Sequence, residues 1–380
     1  MSMSLFQEKL SFQKWKINKL ADNNTYLEIN LKNLASNLNF LRSKIKPTTK
    51  LLAVTKANGY GSDSIEVSKF LENKVDYFAV AYTSEGVELR KNKIKSPILI
   101  LHPQIGDFDI IQEYNLEPSI YSFMILNEYI DKQCNIPVHI KFNTGLNRLG
   151  FSKKNLTKLC KILLDEKITV NYILSHLAAS EDIKEKSFTK KQIEKFLSIS
   201  DEFEDLTNKA VKKHLLNTSG ILNYSDYQFD MVRSGIGLYG YGNDKQYESK
   251  LKPVHSLYSS ISQIHEVKKG ESVGYNRAFL ANKNCRIGIV PIGHADGISR
   301  SIGNRKGKVL VNNSLCDIIG NVCMDMIMIE LNDEKIKEGD KVILFDENSQ
   351  NSEKFAEYSN TISYEVLTSI SKRIKRKFVI

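Results

Sequence analysis

TYLEINLKNLASNLNFLRSKIKPTTKLLAVTKANGYG, residues 25–61, sets two short apolar strands on either side of an amphipathic stretch. TYLEINL and LLAVTKA have the length and composition of strands, and KNLASNLNFLRSKI spaces its apolar residues at helical intervals. The beat continues through the helix-like DSIEVSKFLEN and the strands YFAVAY, SPILILH, VHIKFN, NYILSHLA and KHLLNTSG. KKQIEKFLSISDEF is one of the helices between them. Strand–helix alternation sustained over roughly two hundred residues predicts an α/β fold with a parallel sheet, whose commonest closed form is the (β/α)8 TIM-type barrel.

After about residue 245 the pattern changes. SLYSSISQIHEVKKG, NCRIGIVPI, KGKVLVNNSLCDIIG, MIMIELND and GDKVILF are strands joined by turns, with little helix between them, which predicts a mainly antiparallel β domain. The expected organisation is an extension at 1–24 without readable chemistry, a barrel at 25–244 and a β domain at 245–380.

Composition removes several function classes. With 41% hydrophobic and 26% charged residues, a chain of 380 residues has material for two soluble domains. No run approaches the ~18 apolar residues of a membrane helix. MSMSLFQEKLSFQKWKINKL, at the start, interrupts its apolar positions with Gln, Glu and Lys, so no signal-peptide core is expected. The five cysteines are scattered and never spaced CxxC, which predicts a reducing cytoplasm, no disulfide framework and no metal site. The net charge of +10 is spread along the chain. Its one dense cluster, SKRIKRKF at 371–378, lacks interleaved base-stacking aromatics, so a nucleic-acid partner is not expected.

AVTKANGYG, residues 53–61, is where chemistry enters. An apolar strand delivers Lys56 at its carboxyl end, where barrel enzymes place reactive groups. A lysine desolvated there has a lowered pKa and becomes a nucleophile toward carbonyl compounds. A lone strand-end lysine is more often a solvated cation. Lys56 is not alone. FNTGLNRLGF (142–151), LSHLAAS (174–180), NTSGIL (217–222), MVRSGIGLYG (231–240), VGYNRAF (273–279), PIGHADG (291–297) with GNVCMDM (320–326), and TISYEVLTSIS (361–371) follow in order.

This ordered series, running from about Tyr26 to the C-terminus, resembles the alanine racemase family. The resemblance implies pyridoxal 5'-phosphate held by Lys56, and interconversion of L- and D-alanine in a homodimer whose active sites are shared across the interface. It assigns the cofactor phosphate to the amides of Gly235 and Ile236 and the hydroxyls of Tyr60, Thr218 and Tyr364. Thr218 stands where serine is more usual, which leaves Ser219 open as a substitute. Read without the motif, Tyr60 and Tyr364 are ordinary buried tyrosines. Arg233 is implied against the pyridine nitrogen. A guanidinium does not readily release its proton, so that nitrogen stays unprotonated and the carbanion is short-lived.

Racemisation takes a proton from one face of Cα and returns one to the other, which two opposed bases satisfy. By resemblance these are Lys56 and, from the partner chain, Tyr275, with His176 linking Tyr275 to Arg233. Arg148 is implied near the substrate carboxylate, and Met324 and Asp325 in the partner segment that closes over the substrate. Lys141 stands where many members carry a lysine carbamylated by carbon dioxide; a plain lysine satisfied by a carboxylate or a bound anion is the other reading. His294 replaces the family's usual tyrosine at the substrate entrance, and Asn143 replaces a common aspartate.

Three alternatives share parts of this pattern. A broad-specificity or serine/basic amino-acid racemase of the same fold is left open by His294. A decarboxylase on the same plan would carry an acidic group at the pyridine nitrogen, against Arg233. A non-catalytic carrier of the cofactor would be a single barrel without Tyr275 and Met324. The expected setting is a bacterial cytoplasm supplying D-alanine for peptidoglycan.

Overall fold

Tyr26–Asn30 (β1) alternates half-buried and buried side chains, with Leu27 and Ile29 on the covered face. That one-sided pattern suits a sheet with one face toward solvent, whereas strands of a parallel barrel are covered on both faces. The computed structural model, which describes residues 24–242, 245–247 and 249–380, places β1 accordingly. It lies outside the barrel, in the C-terminal sheet, so the strand–helix beat of the sequence starts one strand too early. The extension expected at 1–24 falls outside the described residues but for Asn24, and so does the expected boundary at 244.

The barrel closes from eight parallel strands in chain order: Lys50–Val54 (β2), Tyr77–Val80 (β3), Ile98–Ile100 (β4), Glu117–Ile120 (β5), Val138–Lys141 (β6), Val170–Leu174 (β7), Lys212–His214 (β8) and Met231–Ser234 (β9). β9 returns to pair with β2. The TIM-type barrel expected from the alternation is what forms. β5 and β9 are the two strands that no apolar run announces: β5 is four residues with a proline, and β9 buries an arginine. Some of the helices outside the barrel have side-chain caps where the chain turns into them. Asp63 accepts from the amides of Ile65 and Glu66, and Ser122 from that of Ile125.

The C-terminal strands are His255–Ser260 (β10), Gln263–Val267 (β11), Ser272–Val273 (β12), Phe279–Leu280 (β13), Cys285–Val290 (β14), Lys308–Val311 (β15), Ser314–Ile319 (β16), Ile327–Leu331 (β17), Lys341–Phe345 (β18) and Lys375–Val379 (β19). Together with β1 they form a nine-stranded sheet in the order β11-β14-β17-β16-β15-β18-β10-β1-β19, with β12 and β13 as a separate hairpin. All pairings are antiparallel except β1 with β19.

The basic cluster at 371–378 fastens this sheet to its surroundings. Arg376 donates to the carbonyls of Gly61, Ile370, Ser371 and Ile374, and the Lys377 ammonium lies 3.8 Å from the centre of the Tyr26 ring. Among the described residues no helix is long and apolar enough to cross a membrane, and the five cysteines are free thiols.

Candidate active site

The carboxyl ends of the barrel strands surround a cavity of about 710 Å³. Lys56 enters it just beyond β2, Lys141 from the last position of β6, Arg148 from the loop that follows, His176 from beyond β7, Thr218 and Ser219 from beyond β8, and Arg233 from β9. Gly235 and Ile236 line it after β9, and Tyr364 reaches it from the C-terminal helix Ser363–Ser369.

Lys56 is aimed by an unusual turn. Ala57, Asn58, Gly59 and Tyr60 take φ of 52°, 55°, 62° and 54°, a left-handed run that costs non-glycine residues ~1–2 kcal/mol each. Hydrogen bonds hold it in place. Gly59 donates to the Thr55 carbonyl at 2.9 Å, Asp63 to the Asn58 carbonyl at 2.9 Å, and Ala57 to a Glu85 carboxylate oxygen at 2.7 Å. Glu85 also accepts from the Ala81 and Tyr82 amides, tying the Lys56 turn to the start of the helix Thr83–Lys91 beyond β3. Burial, aided by the Arg148 charge, lowers the Lys56 pKa from 10.5, against an opposing pull from Glu85. More of its amine is thereby unprotonated near neutral pH, and so available as base and nucleophile, than in a surface lysine.

The turn also sends the Tyr60 ring under β9. It stacks on Tyr239 at 4.7 Å and meets Tyr364 at 6.1 Å. A Cβ on Gly235 would overlap the Tyr60 hydroxyl, so only glycine permits this approach. The Gly235 and Ile236 amides donate no hydrogen bond among the described residues. The Thr218 hydroxyl sits beside them, 3.2 Å from Ser234 Oγ and accepting from the Gly237 amide at 3.2 Å. Ser219 instead turns its hydroxyl toward the Gly242 carbonyl at 3.4 Å. Two free amides, a tyrosine hydroxyl and a threonine hydroxyl suit the oxygens of a phosphate. The glycine turn fits pyridoxal 5'-phosphate in this respect.

Arg233 is 4% exposed, and among the described residues no carboxylate touches it. It donates to the carbonyls of Ser175 at 2.7 Å, Leu215 at 2.8 Å and His214 at 3.1 Å, and to Nδ1 of His214 at 2.7 Å and of His176 at 3.1 Å. Burial pulls its pKa down to about 9. Burial together with the Arg233, Arg148, Lys141 and Lys56 charges holds His176 well below the ordinary histidine range, so it is neutral with its proton on Nε2.

Lys141 is 7% exposed, with its pKa lowered to about 8 by burial and by the charges of Arg148, Arg233 and Lys56. No carboxylate faces it among the described residues. Asn143 is spent on its own turn, accepting from the Gly145 and Asn147 amides.

Tyr275, Met324 and Asp325 are not brought to this cavity within one chain. Tyr275 is 72% exposed beside the β12–β13 hairpin and Met324 is 59% exposed. Asp325 pairs with Arg373 at 2.7 Å, which also holds Asp296. Backbone bonds from His294 to the Cys323 carbonyl and from Ala295 to the Met324 carbonyl join their two loops. Sequence reasoning missed Glu85, whose signal was a glutamate at the third position of a helix start, and His139 and His214. His139 lies between Val138 and Ile140 in β6, and His214 is the buried end of β8.

Fold and cavity together define a barrel enzyme with an appended β domain, its chemistry gathered at the strand carboxyl ends. The models of the alanine racemase N-terminal and C-terminal domains match residues 29–243 and 254–378, and the chain belongs to the alanine racemase family. It is 33% identical over 365 residues to an alanine racemase of Thermodesulfovibrio yellowstonii, covering 93% of this chain and 97% of that one. The structure of an alanine racemase from Clostridium difficile 630 superposes with a TM-score of 0.88 at 33% identity, covering 95% of this chain and 97% of that one. One from Bartonella henselae, with covalently bound pyridoxal phosphate, superposes at 0.85 and 30% identity, covering 93% and 99%.

Proposed function

We propose that the protein interconverts L- and D-alanine, with pyridoxal 5'-phosphate held covalently by Lys56. The observation that carries this is the pairing of a desolvated strand-end lysine with a buried arginine that has no carboxylate beside it. The Gly235 and Ile236 amides and the Tyr60, Thr218 and Tyr364 hydroxyls would hold the phosphate, with Ser219 turned away from it. Bound there, the cofactor supplies an electron sink for charge developing at the substrate Cα.

The chain's own groups do the rest. Lys56 Nζ takes or returns the Cα proton on one face. Tyr275 Oη, from a second copy of the chain, serves the opposite face, assisted by His176. Arg233 would present a guanidinium, not a carboxylate, to the cofactor's ring nitrogen, which would make a weaker electron sink and favour reprotonation over side reactions. Arg148 makes no hydrogen bond among the described residues and is free to engage the substrate carboxylate. An anion at Lys141, carried as a carbamate or bound beside it, would orient Arg148 by charge-assisted hydrogen bonds.

The exposed Tyr275, Leu280, Met324 and Met326 form apolar surface on the β domain, which supports a homodimer whose partner contributes Tyr275, Met324 and Asp325. The division into a cofactor-binding barrel and a β domain near residue 244, a cytoplasmic location and a role in supplying D-alanine for peptidoglycan complete the reading. The broader-substrate alternative is not favoured, since the named relatives are alanine racemases.

The test is incubation with L-alanine in deuterated water. Exchange at Cα with appearance of D-alanine is expected. Release of carbon dioxide, or no exchange, would overturn the proposal.

A further inference from the structure

Behind Arg233, the barrel interior holds polar groups with no part in the chemistry above. His214 and His139 are fully buried. Nδ1 of His214 is 2.7 Å from the Arg233 guanidinium, and its Nε2 is 3.0 Å from Nδ1 of His139. Nε2 of His139 is 2.9 Å from the Glu117 carboxylate, which also accepts from Asn171 Nδ2 at 3.0 Å and Tyr77 Oη at 3.3 Å. Tyr172 stacks on His139 at 4.9 Å and meets His214 edge-on at 5.4 Å, which fixes both imidazole planes.

The ends of this chain dictate its direction. A guanidinium only donates and a carboxylate only accepts. His214 therefore accepts at Nδ1 and carries its proton on Nε2, where it donates to His139. His139 in turn carries its proton on Nε2 and donates to Glu117. Reversing either imidazole would set two N–H groups against each other in a dry core.

We propose that Glu117 is a positioning residue for Arg233: from the far end of the barrel it sets the tautomers of His139 and His214, so that an acceptor always faces the guanidinium. This rests on the reading that Arg233 meets the cofactor ring. It also gives Arg233 a carboxylate partner at the other end of a hydrogen-bonded chain, without a negative group at the ring nitrogen.

The test uses the full-length enzyme with its cofactor, labelled with nitrogen-15 in histidine. Long-range proton–nitrogen spectra should show His139 and His214 neutral, each protonated on Nε2 alone. A glutamine at this position can present either an oxygen or an amide N–H. Glu117→Gln should therefore give mixed tautomers and lower kcat by about 10–100-fold, the range seen for groups that orient a functional side chain from behind. KM for L-alanine should stay within about twofold. Glu117→Asp, acceptor-only but shorter, should keep the single tautomers and more of kcat. A purely space-filling role predicts the reverse order, Gln mild and Asp severe, and that result would overturn the proposal. So would a wild-type His214 protonated on Nδ1, a measurement that needs no variant to fold. Failure of borohydride to fix a cofactor on Lys56 would instead remove the functional reading and leave the tautomers as measured.

Discussion

Lys56 and Lys141 share one cavity, and burial treats them alike while their surroundings separate them. Glu85 opposes the lowering at Lys56, and Lys141 has only cations around it. Lys56→Ala should abolish both racemisation and the covalent adduct fixed by borohydride, read by mass spectrometry of the intact chain. An adduct persisting at its wild-type level would place the cofactor on another amine. For Lys141, the folded pKa of about 8 lies below the ordinary 10.5, so between those values the unfolded chain binds a proton that the folded chain has released. Stability then rises with pH across that window, and the penalty below about pH 8 is on the order of 3 kcal/mol. Thermal melts of wild type against Lys141→Gln in carbon dioxide-free buffer should show a steeper rise in wild type, and bicarbonate should remove the difference. Rescue by chloride and not by bicarbonate would favour a bound anion over a carbamate. Lys56 and Arg233 were legible because each sits in a motif with a chemical reason for its residue type. His139 and Glu117 were not, because a histidine in an apolar strand looks like any core histidine until its partner across the barrel is known.

Among the elements, the glycine turn after β9 and the left-handed turn after β2 interlock through one tyrosine. A methyl group on Gly235 would strike the Tyr60 hydroxyl, and Tyr60 has little room to retreat between Tyr239 and Tyr364. Gly235→Ala should weaken cofactor affinity by about tenfold or more, since a loss of ~1.4 kcal/mol is already tenfold. Lys56 would still form its adduct at high cofactor concentration. Titration of cofactor absorbance at fixed protein measures this, and unchanged affinity would mean that the phosphate does not use these amides. The barrel was legible in the sequence because β2, β3, β4, β6, β7 and β8 fall in apolar runs spaced by amphipathic helices. β1 was assigned to the wrong sheet because its alternation, already visible in YLEIN, was counted as one more barrel beat. A turn is legible in Asn58, Gly59 and Gly61, which favour positive φ, but the length of the left-handed run is not, since Ala57 and Tyr60 carry no signal for it.

For the whole molecule, one chain holds every proposed site residue around a single cavity except Tyr275, Met324 and Asp325. If those come from a second copy, inactive Lys56→Ala and Tyr275→Phe proteins should complement each other. Random exchange makes half the dimers mixed, each with one intact site of two, so activity should recover to about a quarter of wild type. No recovery after subunit exchange, verified by mass, would place Tyr275 in its own chain's chemistry or outside it. The pairing of β1 with β19 has a consequence for how the protein is made. Tyr26 and Lys375 are neighbours in space but about 350 residues apart in sequence. A ribosome adding ~5–20 residues per second leaves β1 waiting roughly 20–70 s for its parallel partner. Over that interval the barrel has all its strands and can close, while Leu27 and Ile29 have neither of their neighbouring strands until β10 and then β19 emerge. The nascent chain therefore carries an uncovered strand edge until Lys375–Val379 is made, and a chain truncated before Lys375 would keep that edge open.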